Sequence, residues 1–188
     1  EAARLGLPAV ALVDPDGLYG APRFHRAALD AGLKPLVGSE ITLTDGSRLP
    51  LLVEDREGYQ NLCRLITRLK LSAPKGQARA TLEDLEPYAG GLVCLTGGAQ
   101  GPLARRAAAG DHEGARECLG RLTTIFGRSS CFVEVQHHLE RAEERVRERL
   151  VGLARAARLP LVASNQPLYA RPGGRAVAAV FTCIRGHT

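Results

Sequence analysis

An α/β fold, with a largely parallel sheet covered by helices, is what the pattern of this sequence predicts, and three observations predict it. Short apolar runs rich in β-branched residues (PAVALVD at 8–14, GLVCLTG at 91–97, CFVEVQ at 131–136, PLVASN at 160–165) are apolar on both faces, as strands buried on both sides are. Stretches with apolar residues at helical spacing alternate with them. The 188 residues suit one domain with a sizeable core. Two architectures satisfy this alternation: a closed barrel with its site at the carboxyl ends of the strands, and an open doubly wound sheet.

In chain order, the strand at 8–14 is followed by a helix in LYGAPRFHRAALDAG, with Pro22 in its first turn, Phe24, Ala28 and Ala31 on one face, and Gly32 as its stop. Strands at 34–44 and 48–54 flank Asp45-Gly46-Ser47, whose Asp-Gly pair favours a hairpin. DREGYQNLCRLITRLK is a helix with Tyr59, Leu62, Ile66 and Leu69 at helical spacing. A polar loop follows it, and Thr81 then opens a short helix through a T-x-x-D approximation of a capping box. After the strand at 91–97, residues 101–127 carry two helical patterns divided near Gly110-Asp111. A helix over about 139–158 is expected to turn Leu139, Val146, Leu150, Leu153 and Ala157 inward. Its outer face holds a favourable Glu143–Arg147 pair and a like-charged Glu144–Glu148 pair, worth only tenths of a kcal/mol each. The last strand is at 160–165, and RAVAAVFTCIRGHT closes on an apolar helical pattern.

Composition excludes several classes. No apolar run approaches the roughly eighteen residues of a membrane span, and no signal peptide is evident. The five cysteines, Cys63, Cys94, Cys118, Cys131 and Cys183, are dispersed and contain no C-x-x-C pair, so buried free thiols in a reducing cytoplasm are expected. The opening EAARLGL has the form of the last turns of a helix, and there is no methionine; both lead us to expect a piece of a longer chain. The net charge of +5 is unevenly spread: between Glu57 and Glu83 there is no acidic residue, whereas Arg64, Arg68, Lys70, Lys75 and Arg79 all fall there. That segment is either a solvated helix end or a candidate for DNA phosphate contact.

Functional side chains in such folds sit just after strands, which selects Asp14 to Gly17, Glu40, Gly97-Gly98, His137-His138 and Asn165 to Leu168. A metal site there would draw on Asp14, Asp16, Glu40, His137 and His138, a thin set. Adjacent histidines on a strand point to opposite faces, and a lone strand Glu more often pairs with a nearby Arg than binds metal. No phosphate-binding glycine loop, dinucleotide fingerprint or nucleophile elbow is present.

The order of these segments resembles the N-terminal PHP (polymerase and histidinol phosphatase) domain of bacterial DNA polymerase III alpha-type proteins. ALVDPDGLYGAPRFHRAALDAGLKPLVGSEITL is similar to the portion that usually reads T-D-H-G-x-L-x-G, a helix, then K-P-I-x-G-x-E. LLVEDREGYQNLCRLIT resembles that family's L-L-A-x-x-x-x-G-Y-x-N-L-x-x-L. GLVCLTGGAQGPL, CFVEVQHH and PLVASNQPLYARPGG match later segments in order, so the resemblance covers essentially the whole chain. It implies a distorted α/β barrel of about seven mostly parallel strands, here without the family's first strand and its H-x-H motif. The parent would be a DNA-directed DNA polymerase whose palm domain, with its Mg, lies beyond residue 188. The closing V-F-T-C-I-R and N-Q-P-L segments resemble the error-prone, repair-associated branch.

Departures from the family pattern fall at its metal ligands. The His of T-D-H is Pro15. The Asp and His of N-D-x-H are Gln166 and Leu168, and a Cys of many members is Gly98. Glu40 matches a ligand Glu and His138 the His after E-x-Q, leaving Glu40, His138 and Asp14 as a degenerate remnant of a site that takes Mn or Zn when intact. The resemblance therefore implies a non-catalytic platform with no cofactor of its own. It would reach DNA through the full-length polymerase and dock a proofreading exonuclease or other polymerase subunits. An active PHP phosphoesterase or proofreading exonuclease is the alternative, and a DNA-contact or protein-interaction module a third.

Overall fold

The computed structural model describes residues 1–186; His187 and Thr188, the end of the closing helical pattern, lie outside the described residues. Six strands form one sheet in sequence order: β1 (Ala9–Pro15), β2 (Lys34–Thr42), β3 (Arg48–Val53), β4 (Leu92–Leu95), β5 (Cys131–Gln136) and β6 (Leu161–Ser164). β1 and β2 are parallel, as are β4, β5 and β6, while β3 runs antiparallel to both its neighbours. The reversal at β3 follows from the short hairpin. Asp45 Oδ1 accepts from Ser47 N and Oγ, and Gly46 takes the φ of +75° that the tight turn needs.

The helices are α1 (Ala21–Asp30), α2 (Arg56–Leu71), the four-residue α3 (Leu82–Leu85), α4 (Pro102–Ala109), α5 (His112–Phe126), α6 (Arg141–Ala157) and α7 (Arg175–Gly186). Their starts follow local chemistry. Pro22 stands in the first turn of α1, Asp55 caps α2 by accepting from Gly58 N, and Thr81 and Asp84 complete both arms of a capping box on α3. Asp111 caps α5, separating it from α4 at the expected Gly110-Asp111 break.

The G-Y-x-N-L segment gains a structural meaning here. Gly58 packs so tightly on the turn before β4 that a Cβ there would lie 1.8 Å from the Gly91 carbonyl oxygen. Three residues on, Asn61 Nδ2 donates to Gly90 O at 2.9 Å. One core cluster fills the space between β2–β4 and α2, α3 and α5, with Ile41, Leu49, Leu51, Leu62, Leu65 and Leu122 fully buried. A second joins α4, α5 and α6 to β5 through Leu103, Leu119, Val133, Leu150 and Ala154.

Three expectations need correction. Leu139 does not face inward: it is exposed, with φ of +65°, in the connection before α6 begins at Arg141. A backbone in that conformation cannot continue into a helix. Arg147 pairs with Glu144 and not with Glu143, whose carboxylate is already held by His138. Of the five cysteines only Cys94, Cys118 and Cys131 are buried; Cys63 is half-buried and Cys183, on α7, is exposed. Among the described residues no helix is long and apolar enough to cross a membrane.

Candidate functional site

At the carboxyl ends of β2, β5 and β6 lie two hydrogen-bonded clusters, one around Glu40 and one around Glu134. Glu40, near the end of β2, is almost fully buried. Its Oε1 accepts from Gln166 Nε2, just beyond β6, and its Oε2 lies 3.6 Å from Arg48 Nη1 on β3. β2 and β6 are four places apart in the sheet, which at about 4.8 Å per strand would separate them by about 19 Å if the sheet were flat. Direct contact between their side chains therefore requires the sheet to curl into a half-barrel. Burial pushes the Glu40 carboxyl above its ordinary value, opposed by the nearby Arg48 charge and the Gln166 hydrogen bond, with Glu134 adding to the rise.

Glu134, on β5, is 2% exposed. Its Oε1 accepts from Ser164 Oγ on β6 and from Gln136 Nε2 at 3.2 Å, and Gln136 Nε2 also donates to Ser164 Oγ at 3.1 Å. Its Oε2 is buried with no hydrogen-bond partner. Thr96, at the end of β4, accepts from Glu134 N through Oγ1 at 3.0 Å and pins the strand. Gly98 leaves room for Gln136: a Cβ at residue 98 would lie 2.1 Å from Gln136 Oε1. Where the resemblance places a cysteine in many members, this chain therefore has glycine with a glutamine amide packed against it.

Asp14 and His138 are occupied elsewhere. Asp14 Oδ2 accepts from Gly20 N at 2.7 Å and ties down the connection into α1. Asp16, with φ of +47°, accepts from Thr42 N at 2.8 Å and from Thr42 Oγ1 at 2.7 Å, so it too closes a loop. His138 is exposed; its Nδ1 lies 2.7 Å from Glu143 Oε1 and its backbone N donates to Glu143 Oε2 at 2.7 Å. Those bonds, with a further one to the Asn165 backbone, raise the imidazole above its ordinary value. Pro15 is exposed, as are His137, Gln166 and Leu168 by residue. Among the described residues no three His, Cys, Asp or Glu side chains converge to hold a metal ion. The donors present do not fit a multinuclear metal centre. The one family-type carboxylate in the interior, Glu40, is engaged by an amide and a guanidinium, and the imidazole points out to a surface glutamate.

The basic segment divides into separate surfaces. Arg64 and Arg68, one turn apart on α2, border an open groove of about 630 Å³ with Cys63, Leu71 and Tyr88, and Arg68 lies 3.7 Å from Asp84. Lys70 points away to Tyr19, donating to its hydroxyl and standing 4.7 Å from its ring centroid. Lys75 is exposed in the following loop, and Arg79 donates to the Ala78 carbonyl at 2.6 Å. The five cations thus do not form one stripe.

Sequence reasoning passed over Arg48, Ser164 and the burial of Glu134. The available signal for Glu134 was a lone carboxylate inside the apolar run CFVEVQ, where only an inward polar partner could hold it.

A curled α/β sheet with its polar clusters at the strand ends defines the class, and the profile of the PHP domain family matches residues 1–138. The chain belongs to the PHP domain family. It is 37% identical over 188 residues to an error-prone DNA polymerase of Pseudomonas fluorescens and 32% identical over 197 residues to one of Mycobacterium bovis. These alignments take in 100% and 98% of this chain but 17% and 18% of those proteins, so the chain spans about a sixth of the length of the curated relatives it matches. Among solved structures, a Bifidobacterium adolescentis protein assigned as a metal-dependent phosphoesterase shares the fold. The TM-score is 0.53 at 15% identity, covering 87% of this chain and 78% of that one.

Proposed function

We propose that this chain is the PHP portion of a DNA-directed DNA polymerase of the error-prone type, and that it acts there as a structural and docking platform without hydrolytic activity of its own. The observation that carries this reading is the Gln166–Glu40–Arg48 chain, which engages the retained ligand-type carboxylate in the sheet interior. Hydrolysis by an intact PHP site needs a metal-activated hydroxide, and the described residues bring no three His, Cys, Asp or Glu side chains together to hold its metal. Mn and Zn then have no catalytic role in this portion. The Mg needed for nucleotidyl transfer would be held by carboxylates elsewhere in the polymerase. DNA would be reached through the full-length enzyme, in the cytoplasm, and a proofreading exonuclease or another polymerase subunit is the partner such a platform would dock.

The test is direct. The purified protein, incubated with Mn²⁺ or Zn²⁺ and desalted, is expected to retain substoichiometric metal by mass spectrometry and to release no p-nitrophenol from p-nitrophenyl phosphate above a metal-only blank. Stoichiometric metal together with turnover overturns the platform reading. Primer extension by the full-length protein tests the polymerase assignment separately.

A further inference from the structure

Beside the strand-end clusters, a partly enclosed cavity of about 210 Å³ lies between α4, β5 and α6. Its walls differ in chemistry. Ala104 and Ala108 of α4 and Val146 and Leu150 of α6 make an apolar side, and Glu134 and Gln136 of β5 make a polar end. Glu134 is 2% exposed, and no Lys, Arg or His among the described residues forms an ion pair with it. Its Oε2 has no partner at all. A buried acceptor left in that state is costly, and more so when it is charged. Gln136 directs its Nε2 to Glu134 and Ser164, which turns its Oε1 toward Gly98 on the cavity wall. The polar end holds two acceptors, Glu134 Oε2 and Gln136 Oε1, and the one cation on the lining, Arg147, is engaged by Glu144. The charges at the rim are already balanced: Arg147 pairs with Glu144, and Glu143 with His138.

We propose that this cavity binds a primary alkylammonium group, its NH₃⁺ donating to Glu134 Oε2 and Gln136 Oε1 and its methylene chain lying along Ala104, Ala108, Val146 and Leu150. An ammonium brings three donors and one positive charge on an apolar stem, matching the two acceptors left without a donor and the aliphatic wall. An inorganic cation would find oxygen ligands on one side only. A free aliphatic diamine and a lysine side chain share the chemistry. The inference goes beyond the platform reading and does not depend on it, since no metal takes part.

The experiment titrates the ¹⁵N-labelled protein, in buffer containing EDTA, with n-butylamine, 1,4-diaminobutane, Nα-acetyllysine amide and the uncharged control butan-1-ol. Saturable shifts at the amides of Gly98, Ala104 and Glu134 are expected with the amines and not with the alcohol. The diamine and the lysine amide, compared at equal concentration, distinguish a free polyamine from a side chain as the tighter ligand. Glu134→Gln, which keeps the shape and removes the charge, is expected to weaken binding at least tenfold. Ala108→Leu, at an exposed position on the cavity wall, is expected to block binding without disturbing the core. Equal shifts with butan-1-ol, undiminished binding to Glu134→Gln in a folded variant, or an ordered water on Glu134 that no amine displaces would each overturn the proposal. Metal binding and phosphoesterase activity, measured without EDTA, test the platform reading alone.

Discussion

Replacing Gln166 by leucine removes the donor to Glu40 Oε1 while keeping the side-chain volume similar, and it leaves a carboxylate 9% exposed with only Arg48 at 3.6 Å. Leaving a buried acceptor unsatisfied costs about 1–3 kcal/mol, so the expected loss is about 2 kcal/mol. For a chain of this length that is a fall of roughly 4–8 °C in Tm. The φ of +39° at residue 166 burdens both side chains alike and cancels. The cost should depend on pH with a definite sign. Glu40 titrates above its ordinary 4.5 in the folded protein because burial disfavours its charge, so the folded state holds the proton more tightly than the unfolded one. This group's contribution to stability is therefore greatest below pH 4.5 and declines as pH rises through the folded value. Gln166 opposes that rise, so its loss extends the decline upward, and Gln166→Leu should be most damaging at neutral pH and mildest near pH 4. Urea unfolding of wild type, Gln166→Leu, Glu40→Gln and the double variant at two pH values gives the coupling. If the two substitutions add to within about 0.5 kcal/mol at pH 7, the residues do not interact energetically and the clamp across the half-barrel is refuted.

Gly58→Ala should destabilise by about 3 kcal/mol or more, because the new Cβ would meet the Gly91 carbonyl oxygen at 1.8 Å, where backbone must move; chemical denaturation measures it. His138 titrates above its ordinary 6.5 chiefly through Glu143, so its contribution is fully present below pH 6.5 and lost as pH rises through the folded value; Glu143→Gln should lower the imidazole pKa in an NMR titration and flatten stability across that window. In the full-length protein, neutralising Arg68, Lys70 and Lys75 together should lower the salt slope of duplex binding by about 0.9 for each phosphate that a cation no longer neutralises, and an unchanged slope identifies a solvated face.

The elements were legible where local chemistry decides them. Pro22, Asp55, Thr81 and Asp111 stand at helix starts, and Asp45-Gly46 makes the turn that reverses β3, because each acts through atoms a few residues away. A lone strand Glu tends to find an Arg, and Glu40 lies 3.6 Å from Arg48. What sequence spacing could not supply was the curl that brings residue 166 to residue 40, or the inward turn of Glu134 onto Ser164, thirty positions away along the chain. α6 starts at Arg141 and not near 139 for a physical reason as well. Leu139 has the apolar character of an inward helix position, but the His138–Glu143 bonds set the loop before it, and the left-handed backbone at 139 turns the side chain to solvent.

Backbone and side chains of the strand ends give different information about this site. Asp16, Leu139 and Gln166 all hold positive φ without being glycine, and all three lie just beyond a strand on the site's rim. Such conformations cost about 1–3 kcal/mol each and persist only where surrounding contacts over-determine them. The contacts here are protein to protein: Asp16 to Thr42, Gln166 to Glu40, and His138 to Glu143 next to Leu139. A metal cluster would organise such loops by pulling several ligands to one point. In this chain amides, hydroxyls and carboxylates join them pairwise. These pairwise contacts hold the strand ends where the family resemblance would place ligands at Pro15, Gln166 and Leu168, which is why the clamp between β2 and β6 is the interaction whose removal should tell most.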